Sequence, residues 1–260
     1  MDGEPAPRSW LFAPGHNERF VQKAFDVGAD VVLLDLEDAV PPDLKDRARA
    51  LVKEAASSFR CWVRINRPLT AESEWDITAL ADVVAGLRVP KVESRRDVEW
   101  VAERAPNVRL DCTIESAKGV LAAFEIASAP SCSLISYGGI DLAADLGIDG
   151  GSTATLFARS SIVLCARAAG KPSPSDGVHP NIGDDDGLRR GAEEARRLGF
   201  FGKAAIHPSQ VSIINEVFSP SEAQLRWAKR VLDAFDASAG KAVKLPDGEF
   251  VDLAVVRRAR

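Results

Sequence analysis

Apolar residues fall in short runs along the chain, and the runs recur at a regular pace. Eight read as strands: SWLF (Ser9 to Phe12), VVLLD (Val31 to Asp35), CWVRI (Cys61 to Ile65), LRVPKV (Leu87 to Val92), RLDCT (Arg109 to Thr113), SLIS (Ser133 to Ser136), SDGV (Ser175 to Val178) and KAAI (Lys203 to Ile206). Between them the spacing changes to that of amphipathic helices, as over Leu44 to Ala56, Asp97 to Ala105 and Asp185 to Leu198. Helix starts carry capping residues, Ser73 ahead of EWDITALADVV and Ser219 with Glu222 three residues on. Eight strand–helix units in about 210 residues predict an α/β chain built as a (β/α)₈ TIM barrel rather than an open doubly wound sheet. Neither GHNERF nor GIDGGST supplies the GxGxxG turn of a dinucleotide-binding sheet. After the barrel, LRWAKRVLDAFDASAG predicts one long helix, and KAVKLPDGEFVDLAVV a short hairpin turning on Asp247-Gly248. The expected division is a catalytic barrel over 1–218 and, over 219–260, an arm acting as lid or subunit contact.

Composition narrows the partners. At 46% hydrophobic and 27% charged, the 260 residues can bury a large core, and a formal net charge of −5 without any basic block argues against a nucleic-acid partner. The terminal RRAR reads as a solvated tail. Cys61, Cys112, Cys132 and Cys165 lie singly in apolar stretches, which predicts reduced buried thiols in a cytoplasmic protein rather than a disulfide frame or zinc site. MDGEPAPRSW has neither the basic nor the apolar region of a signal peptide, and no run is long enough to span a membrane.

In such a barrel the chemistry sits at the C-terminal ends of the strands. The second strand ends in Asp35 to Asp38, the third in Arg64-Ile65-Asn66, the fourth in Lys91-Val92-Glu93, the fifth in Glu115, and the sixth runs into YGGIDLAADLG with Asp141. Each acid alone could be a first-turn residue favoured by a helix dipole, but together they place several acids and one arginine on one rim. Glu115 and Asp141 are the sharpest pair, because two hard oxygen ligands completed by water suit Mg²⁺. His16, His179 and His207 are isolated and lack zinc spacing. Gly139 and Ile140 open a helix whose backbone N–H groups can face a ligand carboxylate. Arg64 is a fork for such a carboxylate, or alternatively half of a salt bridge inside the barrel.

RSWLFAPG, LDLEDAV, VRIN, PKVES, CTIESAKGV, GGIDLAADLG, DGV and GKAAIHPSQV appear in the order seen in the citrate lyase β-subunit family, which the chain resembles over nearly its whole length. That family includes malyl-CoA and citramalyl-CoA lyases. The resemblance implies a Mg²⁺ site on Glu115 and Asp141, a keto-acid-binding Arg64, and Glu37 and Asp38 holding water at the metal's outer edge. It also implies a CoA thioester along the N-terminal strand rim, near Phe12, Pro14 and Lys23. A family segment D-G-x-x-V-D-x-P, whose second Asp acts in a neighbouring subunit's site, matches at Asp252, but Ala254 stands in the proline's place.

These features imply a Mg²⁺-dependent carbon–carbon lyase acting on a 3-hydroxy-3-carboxyacyl thioester of CoA or an acyl-carrier protein. It would release or take up an α-keto acid (oxaloacetate, glyoxylate or pyruvate) as a homo-oligomer such as a trimer, with Asp252 exchanging a proton with the enolate carbon. Two alternatives stand beside it. One is a CoA-independent, metal-dependent pyruvate-type aldolase, disfavoured because no histidine accompanies Glu37 and Asp38. The other is a non-catalytic barrel serving as a partner in a larger assembly.

Overall fold

A computed structural model describes residues 6–259; the reading of Met1 to Pro5 as leader-free and the last residue of the RRAR tail lie outside them. Eight parallel strands close into a barrel in chain order: β1 (Ser9–Pro14), β2 (Val31–Asp35), β3 (Trp62–Arg64), β4 (Gly86–Val89), β5 (Leu110–Ile114), β6 (Cys132–Tyr137), β7 (Ser175–Asp176) and β8 (Gly202–Ala205). Helices α1 (Glu18–Ala24), α2 (Lys45–Ser58), α3 (Ala71–Leu80), α4 (Arg95–Arg104), the split pair α5 (Ala117–Leu121) and α6 (Ala123–Ala127), α7 (Gly139–Leu146), α8 (Ser152–Ala168), α9 (Asp185–Leu198) and α10 (Pro208–Phe218) alternate with them. This is the (β/α)₈ barrel that the periodicity predicts.

Strand alternation sorts the side chains into two populations. Leu34, Val63, Leu87, Val89, Leu110, Cys112, Ile114 and Ile135 point outward into one apolar cluster with helix residues such as Val52, Ile77, Val98 and Ile162. The opposite register faces inward, and its lowest tier is an apolar plug of Trp10, Leu33, Trp62 and Leu134. Trp10 and Trp62 meet edge to face at 5.3 Å between centroids. Gly86 is required beside them, since a Cβ there would overlap the Trp62 ring at about 2.5 Å. Above the plug the inward positions turn polar: Asp35 pairs in register with Arg64, and Arg88 with Asp111.

Local details depart from the sequence expectations. Thr70, not Ser73, caps α3; Ser73 is the third helical residue and completes a capping box with it. Ser221, not Ser219, caps the long helix, with Gln224 rather than Glu222 as its partner. Strand β4 stops at Val89 instead of Val92, because Lys91 turns into the left-handed region at φ 53°. Cys61, Cys112 and Cys132 are buried and free, whereas Cys165 is only half-buried.

The chain divides into two compact units, Met1–Phe218 and Ser219–Arg260. The second unit is more than a helix and hairpin. It holds α11 (Glu222–Ala237), strands β9 (Val243–Lys244) and β10 (Phe250–Val251), and a terminal helix α12 (Leu253–Ala259) where the sequence suggested more strand. Val231, Phe235, Leu245, Val251 and Val256 form its own small core. The hairpin is pinned to α11 by Trp227 Nε1 donating to Glu249 Oε1 (2.9 Å) and by Arg230 Nη1 to Asp247 (2.7 Å). Among the described residues no helix is long and apolar enough to cross a membrane.

Candidate functional site

The C-terminal mouth of the barrel opens into a cavity of about 410 Å³. Phe12, Pro14, Asp38, Arg64, Glu115, Gly139, Ile140 and Asp141 all line it, so the rim residues named from the sequence converge there. Lys23 does not line it and is exposed on α1. Glu37 is buried next to it, behind Arg64. Asp252 belongs to the second unit, where its Oδ1 accepts from the backbone N–H of Ala254 (2.9 Å) and Val255 (3.1 Å) and thereby caps α12.

All three guanidinium nitrogens of Arg64 meet carboxylates of the protein. Nε and Nη2 donate to the two oxygens of Asp35 at 2.7 Å each, and Nη1 lies 2.9 Å from Glu37 Oε2. Asp35 also accepts from the backbone of Glu37 and Ala39, so it ties the LEDAV turn to the third strand. Burial works against the Arg64 charge, but Asp35, Glu37 and Glu115 outweigh it and hold the guanidinium protonated. The salt bridge entertained from the sequence is therefore present, together with a place in the cavity wall.

Lys91, placed on the rim by the sequence without a role, joins the acids of the site. Its backbone N–H donates to Glu115 Oε1 at 2.6 Å, while its Nζ reaches Glu37 Oε1 at 2.7 Å and Asp38 Oδ2 at 3.0 Å. The left-handed φ, costly for a side chain of this kind, is what lets one residue serve both carboxylate groups. The available signal was its position just past an inner strand, in PKVES.

Glu115 is buried, with 4% of its surface exposed, and its pKa is pushed up to about 8, first by burial and then by the negative charges of Glu37 and Asp141. Gly138 packs directly against it: a Cβ at that position would collide with the Glu115 carboxylate. The cradle is shaped around an acid whose charged form burial and neighbouring carboxylates disfavour. The carboxyl groups of Asp35, Glu37, Asp38, Glu115 and Asp141 crowd around Arg64, Lys91 and Lys45 and outnumber them. A divalent cation held by Glu115 and Asp141 would offset that excess. Among the described residues no group of three or more His, Cys, Asp or Glu is arranged to hold a metal; two carboxylates plus water is a donor set suited to Mg²⁺ and too small for a structural zinc site.

The family described as HpcH/HpaI aldolase/citrate lyase matches residues 8–208. A (3S)-malyl-CoA thioesterase of Cereibacter sphaeroides is 38% identical over 263 residues, covering 97% of this chain and 92% of the relative. An L-malyl-CoA/beta-methylmalyl-CoA lyase of the same species is 33% identical over 303 residues, covering 98% and 95%. Among solved structures, the protein CitE of Mycobacterium tuberculosis in complex with magnesium, acetoacetate and coenzyme A is 35% identical. It superposes with a TM-score of 0.83 over 98% of this chain and 96% of that one.

Proposed function

Because the chain belongs to the HpcH/HpaI aldolase/citrate lyase family, we propose that it is a Mg²⁺-dependent carbon–carbon lyase for a 3-hydroxy-3-carboxyacyl-CoA thioester. It splits this into an acyl-CoA and an α-keto acid, or joins them. The observation that carries the reading is the buried Glu115, held by the Lys91 amide and moulded against Gly138 beside Asp141 in a cavity with excess negative charge.

Glu115 and Asp141 hold the cation, which when bound supplies Lewis acidity to the oxo or hydroxyl oxygen and the adjacent carboxylate. Arg64 and the backbone N–H groups of Gly139 and Ile140 orient that carboxylate. Glu37 and Asp38, braced by Lys91, position water at the edge of the site and accept the hydroxyl proton through it. As the carbon–carbon bond breaks, its electron pair passes to the thioester side as an enolate. Asp252 of a neighbouring subunit then protonates that carbon. Pro14 lies where the thioester would run along the rim. Phe12 lines the same cavity, its ring under the Arg64 guanidinium at 4.9 Å.

The test is a screen of acetyl-, propionyl- and malyl-CoA with glyoxylate, pyruvate and oxaloacetate, with and without Mg²⁺. Mg²⁺-dependent formation or cleavage of a carbon–carbon bond is the expected result; absence of turnover with every pair would defeat the reading. Hydrolysis of the same thioester is a second reading with a specific observation behind it. The lyase alignment spans 303 positions, 43 more than this chain has residues, while the thioesterase aligns over 263. Release of free CoA and a hydroxydicarboxylate without any keto acid would favour it.

Two further outcomes are expected. Glu115 has a folded pKa near 8 against a reference of 4.5, so the stability its proton supports is complete below about pH 4.5 and is lost as pH rises through 8. Mg²⁺ must displace that proton. The Mg²⁺ concentration at half-maximal thermal stabilisation should therefore fall about tenfold per pH unit from pH 6 to 8 and level off above; a midpoint flat with pH would contradict this. For Asp252, alanine removes both the cap and the carboxylate, costing about 1 kcal/mol from the cap alone, whereas Asp252→Asn retains the acceptor oxygen. Asp252→Asn should unfold with the wild type yet lose about a hundredfold or more in proton exchange at the acyl carbon, read by deuterium uptake into acetyl-CoA; unchanged exchange would remove Asp252 from the reaction.

A further inference from the structure

A second arginine reaches the cavity from below. Arg88 sits in the middle of β4 on the inward register and is only 3% exposed, yet it lines the cavity with Phe12, Thr113, Tyr137 and Ala204. Its Nε and Nη2 donate to Asp111 Oδ2, at 2.8 and 2.6 Å, and Nη2 also to Ser175 Oγ at 3.2 Å. The guanidinium carbon lies 4.6 Å from the Trp10 ring centroid and 5.7 Å from that of Phe12, the same ring that stacks on Arg64. Nη1 has no partner among the described residues, and it is not among the buried polar atoms sealed from solvent; the cavity is the space it faces.

Barrel interiors are usually filled with apolar side chains, as the plug one tier down is here. A buried ion pair in that setting adds little stability, and an apolar pair of similar volume is often as good or better. Asp111 balances the charge only partly in geometry: it meets the Nε/Nη2 edge, leaving Nη1 turned to the cavity and its own Oδ1 without a hydrogen bond. A guanidinium fixed by two rings, one carboxylate and one hydroxyl, with one nitrogen unspent, is an immobilised anion receptor. The metal-side groups already account for the carboxylate next to the oxo carbon. What remains for the floor is a second one.

We propose that Arg88 is a specificity-determining binding residue whose Nη1 receives a second carboxylate on the keto-acid half of the substrate, so that the cavity selects dicarboxylic over monocarboxylic 2-oxo acids. The proposal rests on the metal-dependent lyase reading and deepens it.

The experiment is calorimetric titration of the full-length protein at saturating Mg²⁺ with pyruvate and with freshly prepared oxaloacetate. Arg88→Met alone strands Asp111 in the core and risks the fold, so the informative variant is Arg88→Met/Asp111→Leu, which removes the pair together. The wild type should prefer oxaloacetate by about tenfold or more, the scale of one charged hydrogen bond. In the double variant that preference should shrink to within about threefold, with pyruvate affinity changed by less than about threefold. A merely structural pair would shift both ligands alike. A preference retained in the folded double variant, or absent from the wild type while both acids bind, overturns the role of Arg88 and leaves the lyase reading standing. Failure of the wild type to bind either acid overturns both.

Discussion

Replacing Glu115 with glutamine is expected to abolish the Mg²⁺ response and, at the same time, to make the metal-free protein more stable. The two effects have one cause. The carboxylate is buried, faces Glu37 and Asp141, and ionises only near pH 8, so at neutral or higher pH the apo fold carries an acid it would rather keep neutral. Glutamine keeps the shape against Gly138 and still accepts the Lys91 N–H, but carries no charge. At pH 8.5 the metal-free variant should gain about 1–3 kcal/mol, seen as a rise of about 2–8 °C in melting temperature. Calorimetry should find no Mg²⁺ binding up to about a hundred times the wild-type dissociation constant, a loss of at least about 2.7 kcal/mol. Loss of binding without a gain in apo stability would mean that the carboxylate is not held under electrostatic stress. Retained Mg²⁺ binding would remove Glu115 from the site.

Arg64→Lys should cost both stability and ligand affinity, although it keeps the charge. A lysine can meet one oxygen of Asp35 but not both, and cannot also approach Glu37; Asp35 is almost fully buried, so an orphaned oxygen carries a penalty of about 1–3 kcal/mol. The denaturation midpoint should fall accordingly with an unchanged slope. Independently, affinity for pyruvate in the presence of Mg²⁺ should fall by about 1–3 kcal/mol, because the planar donor set proposed to orient its carboxylate is lost. The two readouts separate the roles. A destabilised protein with undiminished pyruvate affinity would make Arg64 a brace for the LEDAV turn and nothing more.

The barrel was legible because short apolar runs and their spacing are properties of residue type, visible at Val31 to Asp35 and at Arg109 to Thr113, one residue ahead of the strand Leu110–Ile114, without any neighbour. Where the structure departs, the deciding contact lies elsewhere in the chain. Val255 and Val256 favour extended backbone, yet they sit in α12 because Asp252 caps it and Val256 closes a small core with Val231 and Phe235. The early end of β4 depends on a lysine in a left-handed conformation, which no residue preference announces. The site divides in the same way. Glu115, Asp141, Glu37 and Asp38 were readable one at a time, since each follows a strand. The roles of Asp35, Lys91 and Arg88 exist only as pairs across strands, and a single sequence does not show which inward positions face each other.

The apolar plug beneath the cavity also sets the order of traffic. Trp10, Leu33, Trp62 and Leu134 fill the N-terminal end of the barrel, so ligands use the C-terminal mouth both to come and to go. Under the proposed condensation, the small acid would be the reactant seated deeper, and a thioester with its long pantetheine tail lying across the rim would cork it in. On that reading binding would be ordered, keto acid before thioester, and release in cleavage would run the other way, acyl-CoA before keto acid. In steady-state terms, the keto acid should be a competitive product inhibitor of the cleaved thioester and the acyl-CoA a noncompetitive one.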